Sequence, residues 1–261
     1  MQAVILAGGM GSRLSEETSL KPKPLVEIGG RPILWHLMKN LAQQGISEFI
    51  ILAGYKASHV KEYFLNYRYY NTDIVVDTST GDVETLQQNL ASWKVTILDT
   101  GEHTLTGGRL LKARRQITTF PFLFTYGDGL SDIDLSLLTD AHAKSEVVAT
   151  VTAVKPQGRF GHLILTNFSK GSMVSAFEEK GDNADSWVNG GFFLLGQEVF
   201  DYISNGDQTS FEYHSLPILA KKDQLNAYKH DGFWHAMDTM RDKTALEEYW
   251  SNNQAPWKNW A

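Results

Sequence analysis

No cysteine occurs in the 261 residues of this chain. That excludes disulfides, thiolate nucleophiles and cysteine-ligated metal, and it fits a reducing compartment. A basic excess is also missing. Against 24 lysines and arginines stand 30 aspartates and glutamates, a net charge of −6. General nucleic-acid binders carry a basic footprint, so that class is disfavoured. No run approaches the roughly 18 apolar residues that span a bilayer. The opening MQAVILAGG lacks the basic region and long apolar core of a signal peptide. The expectation is a soluble, cytoplasmic protein. Prolines are few, and no repeat, low-complexity tract or linker interrupts the chain. It reads as a single domain over 1–261 with a sizeable core.

What is present is concentrated at the start. Ala3-Val4-Ile5-Leu6-Ala7 is a short, β-branched apolar run, the pattern of a buried strand. It ends in Gly8-Gly9-Met10-Gly11-Ser12-Arg13-Leu14. Glycines there permit positive φ and close approach of a ligand. Successive backbone N–H groups in such a turn form an anion-binding hollow, and Arg13 adds a planar fork of donors suited to phosphate. Lys21 and Lys23 follow in Lys-Pro-Lys-Pro, where the prolines hold the lysines in place. Together these describe a polyphosphate cradle. A dinucleotide fingerprint needs a third glycine where Leu14 stands, and the Walker pattern is absent.

Along the chain, residues 31–45 read as an amphipathic helix with Ile33, Leu34, Leu37, Met38 and Leu41 on one stripe. Strands are expected at 49–53, 95–99, 120–126, 147–154, 162–165, 172–177, 191–195, 224–229 and 233–237. Helices are expected at 56–66, from Gly107, and at 134–144, 197–204, 210–221 and 241–251. The alternation implies a doubly wound α/β sheet, mostly parallel. Residues 67–93, rich in tyrosine and then polar, read as a surface excursion that carries no chemistry or packs a subunit interface.

Two aspartates stand just past apolar strands, Asp128 in Tyr-Gly-Asp-Gly and Asp238 in Trp-His-Ala-Met-Asp-Thr. Strand ends of open α/β sheets are where ligands bind, and a carboxylate pair beside a phosphate loop suits Mg²⁺. His235 reads as a wall residue, because no histidine neighbours it at ligand spacing. Glu178-Glu179-Lys180 follows an apolar strand, and Asn189-Gly190 offers an amide able to donate and accept to hydroxyls. Thr106-Gly107-Gly108-Arg109 offers backbone groups for a base edge, with Arg109 directed at base or ribose.

LAGGMGSRLSEETSLKPKPLVEIGGRPIL resembles the signature of the sugar-1-phosphate nucleotidylyltransferases, G-G-x-G-[ST]-R-L followed by a Pro-Lys pair. Thr-Gly-Gly-Arg, Gly158-Arg159-Phe160-Gly161 and the ending Ala255-Pro256-Trp257-Lys258-Asn259-Trp260 resemble its cytidylyltransferase branch. The resemblance implies a Rossmann-like sheet with additional sugar-side strands, residues 1–130 serving the nucleotide and 131–261 the sugar phosphate. It implies CTP and glucose 1-phosphate as substrates, Mg²⁺ on Asp128 and Asp238, and a homo-oligomer that makes precursors of deoxysugars. By the same resemblance the nucleotide meets Leu6, Ala7, Gly8, Gly9, Gly11, Ser12, Arg13, Lys23, Thr106, Gly107 and Arg109. Arg13 and Lys23 act on the phosphates, the family spacing favouring Lys23 over Lys21. Glu179, Lys180, Asn189 and Gly190 take the sugar phosphate. Gly181 departs from the proline usual after that lysine.

Overall fold

The computed structural model describes residues 1–86, 92–155, 162–168, 171–178 and 187–260. Strand Gln2–Ala7 is buried at every position and lies between Glu48–Ala53 and Phe122–Tyr126, parallel to both. Lys94–Asp99 extends this parallel set beyond Glu48–Ala53 and forms the sheet edge. Side chains alternate across a strand, and the first strand sends Ala3, Ile5 and Ala7 into one core and Val4 and Leu6 into the other. A strand covered on both faces must be apolar throughout, which is why its sequence shows no alternation.

Helix Ile33–Gln43 covers the first face with the expected stripe, and Gly45, at φ +90°, turns the chain out of it. Helix Thr106–Ala113 and the turn and helix at Phe211–Lys221 cover the second face. Beyond Phe122–Tyr126 the pairing changes sense. Strand Trp187–Leu195 runs antiparallel to it, with Phe193 opposite Phe124. His162–Phe168, Gly171–Glu178, Leu225–Lys229 and Ala149–Val154 then complete nine strands among the described residues. The doubly wound α/β fold expected from sequence is present, with a mixed extension. Most element ends shift by one to three residues, and two differences are larger. The late strand begins at Trp187 rather than at 191, so Asn189 and Gly190 lie within it. The excursion holds a short helix, Tyr67–Tyr70, and a hairpin pairing Ile74–Val76 with Val83–Thr85. Among the described residues no helix is long and apolar enough to cross a membrane.

The tail expected to mark a substrate class is a wall of the fold. Trp257 is fully buried. Its carbonyl accepts from Asn40 Nδ2 at 2.7 Å, and its indole N–H donates to His36 Nδ1 at 3.3 Å. An indole nitrogen is donor only, so His36 carries its proton on Nε2 and gives it to the Ile28 carbonyl at 2.8 Å. Both ring nitrogens are thereby spent, with Trp35 and Trp250 edge-on around the ring. Burial drives the His36 pKa down to about 4, with Arg31 adding to the fall and the Ile28 hydrogen bond opposing it.

The pH dependence follows with a definite sign. The folded pKa lies below the unfolded value of about 6.5, so between those limits the unfolded chain binds a proton that the folded one refuses. Stability is complete above about pH 6.5 and is lost toward pH 4, by on the order of 1 kcal/mol per unit. Urea unfolding at pH 7 and pH 5 should show this drop, reduced in His36→Gln. Equal pH slopes in the two proteins would remove His36 as the titrating group.

Candidate active site

The loop after the first strand is held from inside. Leu14, where a dinucleotide binder would need glycine, is a buried knob in the core. Gly11 sits at φ +63° and accepts from the Leu14 N–H at 2.9 Å, closing a tight turn. The Thr18 hydroxyl bonds the carbonyls of both Gly11 and Leu14 at 3.0 Å. A Cβ at Gly11 would stand 2.8 Å from Thr18 Cγ2, so glycine is required for space as well as for φ. Gly9, Ser12 and Arg13 are left on the surface around a cleft of about 230 Å³. Leu6, Ala7, Gly11, Lys23, Asp128 and Asp238 complete most of its wall.

Lys23 opens a turn between two buried prolines, Pro22 and Pro24, with the Val26 N–H bonded back to its carbonyl at 3.0 Å. The two lysines of the segment part here. Lys21 pairs with Glu27 at the surface, at 2.8 Å. Lys23 points inward and meets both candidate carboxylates, Asp128 at 2.5 Å and Asp238 at 2.7 Å. A short ladder explains how residues 110 positions apart converge. Gly129–Ser131 pairs antiparallel with Trp234–Ala236, putting Gly129 opposite Ala236, and the Met237 N–H reaches the Asp128 carbonyl at 2.9 Å. Gly127 carries the chain over the end of the first strand, donating to Leu6 O, where a Cβ would sit 2.7 Å from that oxygen. Thr239 and Asp242 form a reciprocal capping box at the start of helix Met240–Ser251, and Asp242 also accepts from the Asp238 N–H at 3.0 Å. Burial lowers the Lys23 pKa, but the two carboxylates outweigh it and the net shift is upward. Lys23 therefore holds its charge throughout the neutral range. Arg13 lies 3.3 Å from Asp238 with its side chain 70% exposed, free to swing toward an anion.

Thr106 and Gly107 open helix Thr106–Ala113. Gly107 packs against Thr209 and Gly108 against the backbone of Gly206 and Asp207, leaving no room for a Cβ at either. Arg109 is placed beneath the glycine loop, and it does not line the cleft. It is buried, and its guanidinium donates to the carbonyls of Gly8, Ala53, Gly101 and Glu102 and to the Thr100 hydroxyl, over 2.5–3.2 Å. A Cβ on Gly8 or Gly54 would fall 2.2 Å from its Nη1. The expected direction toward base or ribose is thus replaced by a stitch that joins three strand-end loops.

Asn189 is half-buried in its strand, with Oδ1 accepting from the Gly191 N–H at 2.8 Å and Nδ2 donating to the Tyr126 hydroxyl at 3.2 Å. The Gly190 carbonyl accepts from the Trp234 indole at 2.6 Å. Glu179 and Lys180 lie outside the described residues, as do Gly158–Gly161. His235 faces Asp242 at 3.4 Å, away from the carboxylate pair, as a wall residue does. Sequence reasoning missed Thr18, Tyr126 and Glu212. Thr18 had no local pattern to mark it. Tyr126 adjoins Asp128, and adjacency to a strand-end carboxylate was the available signal.

Three comparisons bear on this arrangement. The nucleotidyl transferase family model matches residues 2–251. Glucose-1-phosphate cytidylyltransferase of Salmonella typhimurium is 46% identical over 261 residues, all of both chains. A probable glucose-1-phosphate cytidylyltransferase of Bacillus subtilis is 45% identical over 260 residues, again the whole of both. Among solved structures, HddC from Yersinia pseudotuberculosis superposes with a TM-score of 0.76 at 24% identity, over 95% of this chain and 99% of that one. At that identity the likeness is one of fold.

Arg109→Ala would remove a buried charged donor from the Gly8 and Ala53 carbonyls and the Thr100 hydroxyl, and a hydrogen bond to a charged group is worth about 1.5–3 kcal/mol. The variant should therefore unfold at least ~2 kcal/mol more easily in urea. Wild-type stability would instead return Arg109 to the cleft as a ligand contact.

Proposed function

The chain belongs to the nucleotidyl transferase family, and from that premise we propose that it transfers the cytidylyl group of CTP to α-D-glucose 1-phosphate, giving CDP-glucose and pyrophosphate. The observation that carries the choice of substrates is full-length identity of 46% to a glucose-1-phosphate cytidylyltransferase. The cleft supports the reaction type. It presents loop amides, two cationic side chains and two carboxylates on one wall, and no nucleophilic side chain is needed.

In this reading a phosphate oxygen of the sugar phosphate attacks the α-phosphorus of CTP. The new P–O bond forms as the α–β bridge breaks, and its electron pair leaves with pyrophosphate. The nucleophile is already anionic at neutral pH, so no general base is required. Rate then comes from alignment and from charges fixed in advance. The Gly8–Ser12 amides and Arg13 hold the β- and γ-phosphates. Lys23, charged and rigidly mounted, meets the α-phosphate, where negative charge crowds during transfer. Leu6, Ala7, Thr106 and Gly107 border the nucleoside, which residues 1–130 serve. Asn189, Gly190, Glu179 and Lys180 serve the sugar phosphate from residues 131–261. Arg109 acts at one remove, by holding the Gly8 carbonyl and so the loop's shape.

Mg²⁺ fits the donor set. Two carboxylates from different segments already converge on one cation, the Lys23 ammonium, and Mg²⁺ is usually held by one or two carboxylates completed by phosphate and water. Asp128 and Asp238 would hold it, and when bound it screens the charge of the leaving pyrophosphate. Among the described residues no third acidic or histidine ligand joins them, which leaves the remaining positions to phosphate and water.

The chain also associates with copies of itself in this reading. The hairpin at Ile74–Val76 and Val83–Thr85 has three-residue strands, yet Ile74, Val75, Val76 and Val83 are all exposed. A two-stranded hairpin is marginal alone in water, and Ile74, Val76 and Val83 share one of its faces, an exposed apolar patch of the kind that marks an interface. Light scattering should give a mass above 29.3 kDa, reduced toward it by Val76→Asp. A monomeric wild-type protein would refute this.

The reaction is tested by pyrophosphate release with glucose 1-phosphate, Mg²⁺ and CTP, UTP, dTTP or GTP in turn. CTP should dominate, and the folded Lys23→Ala protein should turn over at least ~100-fold more slowly, the scale of losing one fixed transition-state charge. Release with another nucleotide would overturn the base assignment. Undiminished turnover in Lys23→Ala would remove that residue from the chemistry.

A further inference from the structure

We infer that Tyr126 and Glu212 form a positioning pair that presets the Asn189 amide for the sugar phosphate and ties it to the turn that opens helix Thr106–Ala113; the inference rests on the proposed role of Asn189. The chain of contacts is continuous. Glu212 Oε1 accepts from the Tyr126 hydroxyl at 2.6 Å. Its Oε2 accepts from Thr106 Oγ1 at 2.5 Å and from Ser210 Oγ at 2.9 Å. Both of those hydroxyls have their acceptor side occupied, by the N–H groups of Phe211 and Tyr213. Their protons are therefore directed at the carboxylate, and Glu212 is fixed by three donors.

A phenol has one proton. Given to Glu212, it leaves the Tyr126 oxygen as an acceptor toward Asn189. A carboxylate can only accept, and two hydroxyls already hold its other oxygen, so the phenol proton stays directed at Glu212. Asn189 now has a single satisfactory orientation. Turned over, its oxygen would face a phenol with no proton to give, and its NH₂ would face the Gly191 N–H. Held as it is, and counting only partners among the described residues, it keeps one N–H and one lone pair unspent, the pair of functions that a sugar hydroxyl requires.

The backbone makes room for this arrangement. Gly191 lies at φ +78°, and a Cβ there would stand 2.3 Å from the Tyr126 ring. Trp234 fixes the other side of the strand through the Gly190 carbonyl. None of this serves the strand pairing itself, in which Phe192 to Leu195 face Thr125 to Phe122.

The test is Tyr126→Phe, which keeps the ring and removes the hydroxyl. The KM for glucose 1-phosphate should rise about tenfold, the worth of one buried hydrogen bond. The kcat and the KM for CTP should change much less, a split that loosened packing would not produce. In the Asn189→Ala background the same change should add nothing, and an equal further rise would overturn the inference. A second readout needs no turnover. The side-chain amide signal of Asn189, assigned by its loss in Asn189→Ala, should be protected from exchange in the wild-type protein and exposed in Tyr126→Phe. An unmoved signal would overturn the positioning role even if the wild-type protein fails to use glucose 1-phosphate, a result that by itself would count against the proposed reaction alone.

Discussion

One ammonium holds the cleft together. Lys23 binds two carboxylates that come from distant parts of the chain, and each of the three groups is mostly withdrawn from water. Without the lysine, Asp128 and Asp238 would face one another as like charges in a partly desolvated site and repel. With it, the first-strand segment, the central strand end and the start of the last helix are tied at one point. The tie also preforms the electrostatics. On the proposed function, the two negative groups already gathered around one positive group are the donors that would take a divalent cation beside a polyphosphate.

Everything beneath that point serves to keep its parts from moving. Pro22 and Pro24 restrict the backbone on both sides of Lys23. The Thr239–Asp242 capping box fixes the backbone that carries Asp238. Arg109 performs the corresponding task for the glycine loop. The glycines confer flexibility in the unfolded chain, and the folded chain removes it by driving a guanidinium against Gly8 and Gly54, where no side chain could fit. A loop of glycines is often read as mobile. Here the absence of Cβ atoms is what admits the arginine that immobilises it.

The parts legible in the sequence were those whose cause is local. The run at 3–7 and the glycines after it are contiguous, and the residues that demand a buried strand and a tight turn are the residues that form them. Asp128 and Asp238 were legible because each follows an apolar strand. Arg109 was not, because Thr-Gly-Gly-Arg says nothing of the acceptors that await it from residues 8, 53 and 100–102. His36 and Asn40 sit among the apolar stripe of their helix, and their polar needs are met by Trp257, more than 200 residues on. Asn189 was expected beside a strand and lies within one, since the two glycines that follow it suggested a turn. Gly191 lets Tyr126 approach, and Gly190 makes room for Val154 and the Thr152 carbonyl.

On the proposed function, the same distinction separates the residues assigned to phosphate from those assigned to sugar. Phosphate recognition needs a high density of donors and charge, which a short stretch can supply, and it stands out in the first 23 residues. Recognition of a hydroxyl needs one amide turned the right way, and the information for that is spread over the groups that forbid the other orientation. Asn189 obtains it from Tyr126, Tyr126 from Glu212, and Glu212 from Thr106 and Ser210. Those residues lie on four segments that meet only in the folded chain. The proposed sugar side of this cleft is therefore specified by topology, and the strand order that sets Trp187–Leu195 against Phe122–Tyr126 brings these separate polar residues together.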